Sequence, residues 1–315
     1  MIFRYRRIAY SLLLFLLINS SAFAQLDGLQ VNYEVNRDNE YEFYASNTSG
    51  DYKHVIIKFI ELGGLSTSAK LPFQKSVRPG RTRLFTLKPF GTSQPSMNYQ
   101  VYSFDGVANP KIEEVEYVFP IVDGDPREVF KLTSQLKDDM RGVSTNEGIP
   151  ILGIKAVLGD TIRAARRGRV IKVIENKQLD RPGNLSYASS SNEMIVRHLD
   201  GTMARYRVFQ NNSSMVSVED EVLPGDPIAL VGGEEYSIGP HTRLIIEYLE
   251  VEIDKSNNSR DWTTVKRYVP NFRTANQGLV RMRSGQSYQG LMNPVLRSQE
   301  MTKREKKKYL KSLAK

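Results

Sequence analysis

The stretch NEMIVRHLDGTMARY, residues 192–206, decides the fold of this chain together with a weak repeat on either side of it. The two copies of the repeat are GDTI at 159–162 followed by GRV at 168–170, and EDEV at 219–222 followed by GDPI at 225–228. Each copy predicts a strand, a tight Gly-Asp turn and another strand. The second half of the chain is therefore expected to consist of short strands.

This repeated unit resembles the half-motif shared by biotinyl and lipoyl carriers and by lysostaphin-type (LytM-like) zinc endopeptidases. A carrier of that type needs a modifiable lysine in a hairpin turn, flanked by methionine or similar residues. The sequence contains no such lysine. The resemblance therefore favours the peptidase family over the carriers.

Four segments carry the peptidase resemblance, which covers roughly residues 116 to 290. Residues 192–206 match the family's two central strands joined by an Asp-Gly hairpin. Residues 218–231 are similar to its V-x-x-G-D-x-V-x-x-G-x-x-I-G stretch, and 237–241 to its S-x-G-P-H lead into the last catalytic strand. Residues 270–274 resemble the closing segment of some members. The resemblance implies a duplicated β-domain, a barrel or sandwich, that hydrolyses peptide bonds in peptidoglycan with one zinc ion.

Five side chains perform that chemistry in the family, and only one has a counterpart here. A catalytic zinc takes three protein ligands and leaves a position for the water that it activates. The first histidine ligand is missing, since no histidine lies between His54 and His198. The aspartate position falls on or next to Gly153, and the family's Tyr-x-His motif reads Tyr206-Arg207-Val208. Of the five positions only His241 remains, as a vestige of the catalytic set.

The position of the third zinc ligand holds an arginine, because the family's His-x-His strand reads His241-Thr242-Arg243. Strand alternation places His241, Arg243, Ile245 and Glu247 on one face. A guanidinium has no lone pair to offer a metal and repels a nearby cation. We therefore expect the domain to hold no zinc and to need no cofactor.

Two roles for Arg243 follow from the sequence. In one, Arg243 pairs with a carboxylate such as Glu247 or reaches solvent, and the former site is closed. In the other, Arg243 supplies the charge that zinc supplies in the family and binds a carboxylate of a peptidoglycan stem peptide or of a partner protein. The candidate binding residues are then Arg243, Tyr206, His241 and Glu247. We expect His198, in the strand before the hairpin, to be structural.

The first 24 residues have the pattern of a secretory signal peptide. Three arginines at positions 4, 6 and 7 precede an apolar run at 12–18 and small residues ending at Ala24. An uncleaved anchor is the alternative, but the run is shorter than the roughly 20 residues that a spanning helix needs. We expect a mature chain that begins at Gln25 and is exported to the periplasm or cell envelope. With no cysteine in the chain, its stability must come from its cores.

Residues 25–112 alternate apolar and polar side chains between turn signals, which predicts a β-sandwich of immunoglobulin-like type. Nothing in this segment is typical of catalysis, and His54 is expected to be an ordinary surface or edge residue. Residues 113–290 form the peptidase-like domain. The chain is thus predicted to be all-β with two domains and a short C-terminal tail.

The tail, residues 291–315, carries much of the net charge of +9. Residues 297–315 hold eight basic against two acidic side chains, whereas the body of the chain is balanced, so nucleic-acid binding is not expected. The spacing of Tyr309, Leu310 and Leu313 among lysines predicts a short basic helix. It is either solvated or attracted to anionic lipid or cell-wall polymer.

The function expected from these patterns is binding. The chain is interpreted as a non-catalytic cell-envelope protein with a degenerate peptidase domain, whose partner is peptidoglycan, a cell-wall hydrolase that it regulates, or an envelope assembly. The alternative is an active zinc metalloendopeptidase that cleaves peptidoglycan cross-links. Stoichiometric zinc in the purified protein would favour that alternative. The sequence gives no indication of the oligomeric state.

Overall fold

The computed structural model describes residues 28–132, 150–177, 191–253 and 262–314. The predicted signal peptide at 1–24 lies outside these residues. The described chain consists mainly of strands arranged in several open sheets, and no closed barrel forms among the described residues. The all-β fold class is confirmed.

Seven strands build the first domain: β1 (Leu29–Val35), β2 (Tyr41–Asn47), β3 (Lys53–Gly63), β4 (Leu65–Ser66), β5 (Phe73–Val77), β6 (Gly80–Pro89) and β7 (Ser96–Asp105). They form a four-stranded sheet in the order β1-β2-β6-β4 and a three-stranded sheet in the order β5-β3-β7. Alternate residues of β2 and β3, among them Phe43, Ala45, Val55 and Ile57, enclose one core. The domain is a β-sandwich, and its immunoglobulin type stays a prediction.

The second domain follows with fourteen strands: β8 (Tyr117–Val118), β9 (Arg127–Lys131), β10 (Leu152–Lys155), β11 (Thr161–Arg163), β12 (Gly168–Ile174), β13 (Glu193–Arg197), β14 (Met203–Arg207), β15 (Glu221–Val222), β16 (Pro227–Leu230), β17 (His241–Val251), β18 (Thr263–Tyr268), β19 (Phe272–Thr274), β20 (Gly278–Val280) and β21 (Ser287–Tyr288). Its main sheet runs β15-β12-β13-β14-β17-β10-β9-β21, with β18 also paired to β17. The two hydrophobic cores contain residues 29 to 101 and 115 to 288, respectively. The predicted boundary at 112/113 falls between them.

The repeated Gly-Asp turns have the same geometry in both copies. Gly159 and Gly225 adopt positive φ values of 85° and 87°, a conformation that glycine adopts without steric cost. Asp160 and Asp226 each accept a hydrogen bond from the backbone N–H three residues earlier, at 2.9 and 2.7 Å. The strands that follow the two turns, β11 and β16, pair with each other. The repeat in the sequence therefore builds one small two-stranded sheet.

The sandwich packs against the second domain through the outer face of β3. Ile56, whose side chain points away from the sandwich core, forms a small buried cluster with Leu249, Val251 and Trp262. His54, on the same face, is also buried, and its ring nitrogens bond to Ser76 and Gln74. The expectation that His54 is a surface residue is wrong, because the second domain covers this face.

Two helices end the described chain: α1 (Pro294–Ser298) and α2 (Lys303–Leu313). The segment predicted as a tail is anchored at its start, since Arg297 pairs with Asp226 and Glu300 is buried against Arg166. Among the described residues, no helix is long and apolar enough to cross a membrane.

Candidate functional site

The positions predicted to carry the chemistry lie on neighbouring strands of the main sheet. Gly153 of β10 pairs with Arg243 of β17, and Arg243 pairs with Arg207 of β14. Paired residues project to the same side of a sheet, and Leu244 and Ile246 of β17 lie in the core. The face of His241, Arg243, Ile245 and Glu247 is therefore the face opposite the core, as the sequence predicts.

Both ring nitrogens of His241 are engaged. Nδ1 donates to the carbonyl oxygen of Gly239 at 2.8 Å, and Nε2 accepts a hydrogen bond from Nε of Arg243 at 3.0 Å. Burial, together with the positive charge of Arg243, lowers the pKa of His241 to about 4. The imidazole is consequently neutral at physiological pH, which is the form that can accept this bond.

Arg243 is held inside the protein, with a relative exposure of 1%. Its guanidinium carbon lies 4.8 Å from the ring centroid of Tyr236, which in turn packs edge-on against His241 at 5.0 Å. The expectation that Arg243 reaches solvent is thus wrong. Its other suggested partner, Glu247, accepts hydrogen bonds from Arg205.

Phe130 of β9 closes the site from the other side. It pairs with Gly153, and a Cβ added to Gly153 would fall inside contact distance of the Phe130 ring. The same ring packs edge-on against His241, with centroids 5.6 Å apart. We call Phe130, Tyr236, His241 and Arg243 the His-Arg cluster. A carboxylate at position 153, where the family has its aspartate, would collide with this phenylalanine.

A zinc ion does not fit the His-Arg cluster. The third ligand position holds Arg243, whose guanidinium donates to His241 and has no lone pair for a metal, and the aspartate position lies under Phe130. Among the described residues, no group of three or more His, Cys, Asp or Glu side chains could hold a metal ion. We therefore derive no metal-dependent step for this domain.

The other predicted site residues are buried as well. Tyr206 lies in the core, and its hydroxyl accepts a hydrogen bond from the Ala165 backbone N–H at 2.7 Å; burial raises the pKa of Tyr206. Glu247 is 6% exposed. A ligand outside the protein meets none of the four predicted binding residues in this conformation, because all of them are enclosed. His198 is structural as expected, with Nδ1 bonded to Thr202 at 2.9 Å.

An open groove of about 700 Å³ lies next to the His-Arg cluster. A Cβ on Gly233, which lines the groove, would lie 3.0 Å from Nδ1 of His241, so one layer of backbone separates the two. Asn192 organises the opposite wall, because its side-chain amide donates to the Phe209 carbonyl and its oxygen accepts from the Lys177 N–H. Charged groups on the rim come from Lys177, Glu234 and Glu235.

The backbone is strained where the groove meets the cluster. Val208 has a φ of 65°, in the left-handed region that β-branched residues rarely adopt. Such a conformation costs about 1–3 kcal/mol and is concentrated at functional sites. Position 208 is also where the Tyr-x-His motif would have its histidine. Val208 lines the groove and is itself only 3% exposed.

The model of Peptidase family M23 matches residues 145–255, the segment that contains the groove and three of the four cluster residues. Residues 145–255 are an M23 peptidase domain. M23 is a family of cell-wall peptidases. A search of curated protein sequences found no match.

Solved structures similar to this chain are M23-type peptidases. They include the catalytic domain of lysostaphin from Staphylococcus simulans, at 20% identity over 38% of this chain and 75% of that chain, with a TM-score of 0.23. A zinc-containing peptidase from Vibrio cholerae is 16% identical over 70% of this chain and 75% of that chain, with a TM-score of 0.31. A peptidase M23 from Pseudomonas aeruginosa is 16% identical over 61% of this chain and 87% of that chain, with a TM-score of 0.27. These TM-scores are too low to support an argument about function.

Sequence reasoning missed Phe130 and Tyr236. Tyr236 stands just before the S-x-G-P-H segment, so its nearness to His241 could have been noticed. Phe130 belongs to a strand that no sequence motif marks, and only the pairing of β9 with β10 brings it to Gly153.

Proposed function

We propose that the M23 domain of this chain acts by binding and not by hydrolysis, in a protein exported to the cell envelope. The observation that carries this proposal is the buried guanidinium of Arg243, which stands at the third zinc-ligand position and donates a hydrogen bond to Nε2 of His241. The ring of Phe130 over Gly153 supports it, because it fills the space of a second ligand. The signal-peptide pattern of residues 1–24 supports export.

The binding surface that we propose is the groove beside the His-Arg cluster, and its ligand is a peptide segment of peptidoglycan. A groove of about 700 Å³ accommodates a short peptide. Lys177, Glu234 and Glu235, which line the groove, can pair with the carboxylate and amine groups of such a peptide. In this proposal the peptide binds next to Arg243 and His241 and does not contact them.

Calorimetric titration with soluble muropeptides tests the proposal. Leu158 lines the groove with 44% exposure, and Leu279, which does not line it, has the same exposure. We expect Leu158→Arg to weaken muropeptide binding by about tenfold or more, since a long charged side chain fills the groove, and Leu279→Arg to leave it unchanged.

Three results would contradict this function. Equal muropeptide affinity of the two variants would remove the groove as the binding surface. If this protein binds no muropeptide but captures a cell-wall hydrolase or an envelope assembly, its ligand is that partner and not peptidoglycan. Release of peptides from purified peptidoglycan in the presence of zinc would favour the active peptidase, and the His241→Ala variant would then be expected to abolish it.

A further inference from the structure

The basic helix α2 is held on the M23 domain in one orientation. Its first turn is closed by a capping box, in which the Thr302 hydroxyl accepts from the Glu305 N–H and the Glu305 carboxylate accepts from the Thr302 N–H. The same carboxylate accepts hydrogen bonds from Arg167 of the domain at 2.9 and 3.0 Å. Just before α2, Arg166 and Asp226 anchor Glu300 and Arg297.

One face of α2 lies against the domain. Glu305, Lys308, Tyr309 and Ser312 follow the spacing i, i+3, i+4, i+7, which places them on one side of a helix. Together with Arg167, Leu223 and Met301 they line a shared cavity of about 420 Å³. This face is therefore turned toward the domain, with the cavity between the two.

The opposite face of α2 is cationic and carries exposed leucines. Lys303, Lys306, Lys307 and Leu310 have the same spacing, shifted by two residues, which turns them away from the domain. Leu310 is 47% exposed and the neighbouring Leu313 is 53% exposed. The whole helix has six basic side chains against one acidic side chain. We call this the outer face of α2.

We propose that the outer face of α2 docks onto the surface of an anionic lipid membrane. Lysine and arginine side chains are attracted to anionic lipid headgroups, so the positive charge of this face favours a negatively charged surface. The leucines favour lipid over a soluble polyanion, because only a membrane offers an apolar layer just beneath the charged one. The anchored helix then places the M23 domain, with its groove, at a fixed orientation to the membrane. This inference is independent of what the groove binds.

Co-sedimentation with lipid vesicles tests the docking, using the full chain as cells process it. The vesicles contain phosphatidylcholine alone or phosphatidylcholine with phosphatidylglycerol. We expect binding to the phosphatidylglycerol vesicles only, weakening as salt is added. Lys303→Glu with Lys307→Glu should weaken this binding by about twentyfold or more. Lys70→Glu with Lys111→Glu changes the net charge equally at exposed lysines of the β-sandwich and of the segment that follows it, and should have little effect.

A second pair of variants separates lipid from soluble polyanion. Leu310→Ser should weaken vesicle binding by about tenfold, while Leu279→Ser, of similar exposure in β20, should not change it. Neither should change binding to inorganic polyphosphate. The proposal is overturned if the two lysine pairs behave alike, or if uncharged vesicles bind as well. It is also overturned if Leu310→Ser binds vesicles like Leu279→Ser, a result that would make the occupant a soluble polyanion. Circular dichroism of each variant confirms that it is folded.

Discussion

Arg243 and His241 share a hydrogen bond inside the protein. The guanidinium stacks on Tyr236 and donates to Nε2, so the positive charge is placed against an aromatic face and a neutral acceptor. The histidine in turn remains neutral because it is buried. The bond therefore uses one donor of the guanidinium and the Nε2 lone pair of the imidazole.

Arg243→Ala should lower the free energy of unfolding by about 3 kcal/mol, because it empties the space over Tyr236 and leaves Nε2 of His241 buried without this donor. The control is Arg169→Ala, which removes an arginine that is 41% exposed and paired with Glu219, and should cost less than about 1 kcal/mol. Urea denaturation measures both. Equal stability of the two variants would contradict the interlocked pair.

The pKa of His241 makes a prediction about pH. It is lowered to about 4 in the folded protein from an ordinary value near 6.5. Between these values the unfolded chain binds the proton more readily, so this stabilising contribution is complete above about pH 6.5 and is lost as the pH falls toward 4, at up to about 1.4 kcal/mol per pH unit. NMR titration of the ring checks this directly. A midpoint near 6.5 would show that His241 is not enclosed as described.

The sequence predicted the residue changes at the site but not the way in which they are accommodated. Arg243 on the ligand face follows from strand alternation, and the absence of a carboxylate at Gly153 can be read from the sequence. The partners of these residues cannot, because Phe130 reaches Gly153 only through the pairing of β9 with β10. Tyr206 and Glu247, whose positions in the motif suggested a binding role, are both enclosed in the protein.

At the scale of elements, the segment predicted as a basic tail has two parts, the helix α2 and an anchored segment before it. The spacing of its apolar residues correctly indicated a helix, found as α2. The segment before it is not solvated, since Glu300 lies in a buried ion pair with Arg166, a residue 134 positions earlier in the chain. Contacts over such separations leave no local pattern in the sequence.

The neighbouring glutamates Glu300 and Glu305 should differ strongly in their contribution to stability. Glu300→Ala should lower the free energy of unfolding by about 3 kcal/mol, because the Arg166 side chain is fully buried and loses one of its two close carboxylate partners. Glu305→Ala removes an exposed partner of Arg167 and should change stability little. Thermal or urea unfolding of both variants measures the contrast. A similar small loss in both would mean that Glu300 does not anchor the C-terminal segment.

At the scale of the whole molecule, two β-domains are joined by a buried interface that the sequence did not predict. Val55 and Ile57 of β3 lie in the sandwich core. On the other face of β3, Ile56 packs on Leu249 and Val251 from the second domain. Alternation cannot distinguish a face covered by a neighbouring domain from an exposed one. The sandwich is therefore attached to the same strand, β17, that begins with His241.

The account as a whole depends on the M23 domain having exchanged its metal site for the His-Arg cluster. The most direct measurement is the zinc content of the purified protein after equilibration with excess zinc and removal of unbound metal, with His241→Ala measured in parallel. We predict far less than one zinc ion per chain and no difference between the two proteins. One zinc ion per chain would contradict the account, whether or not His241→Ala retains it.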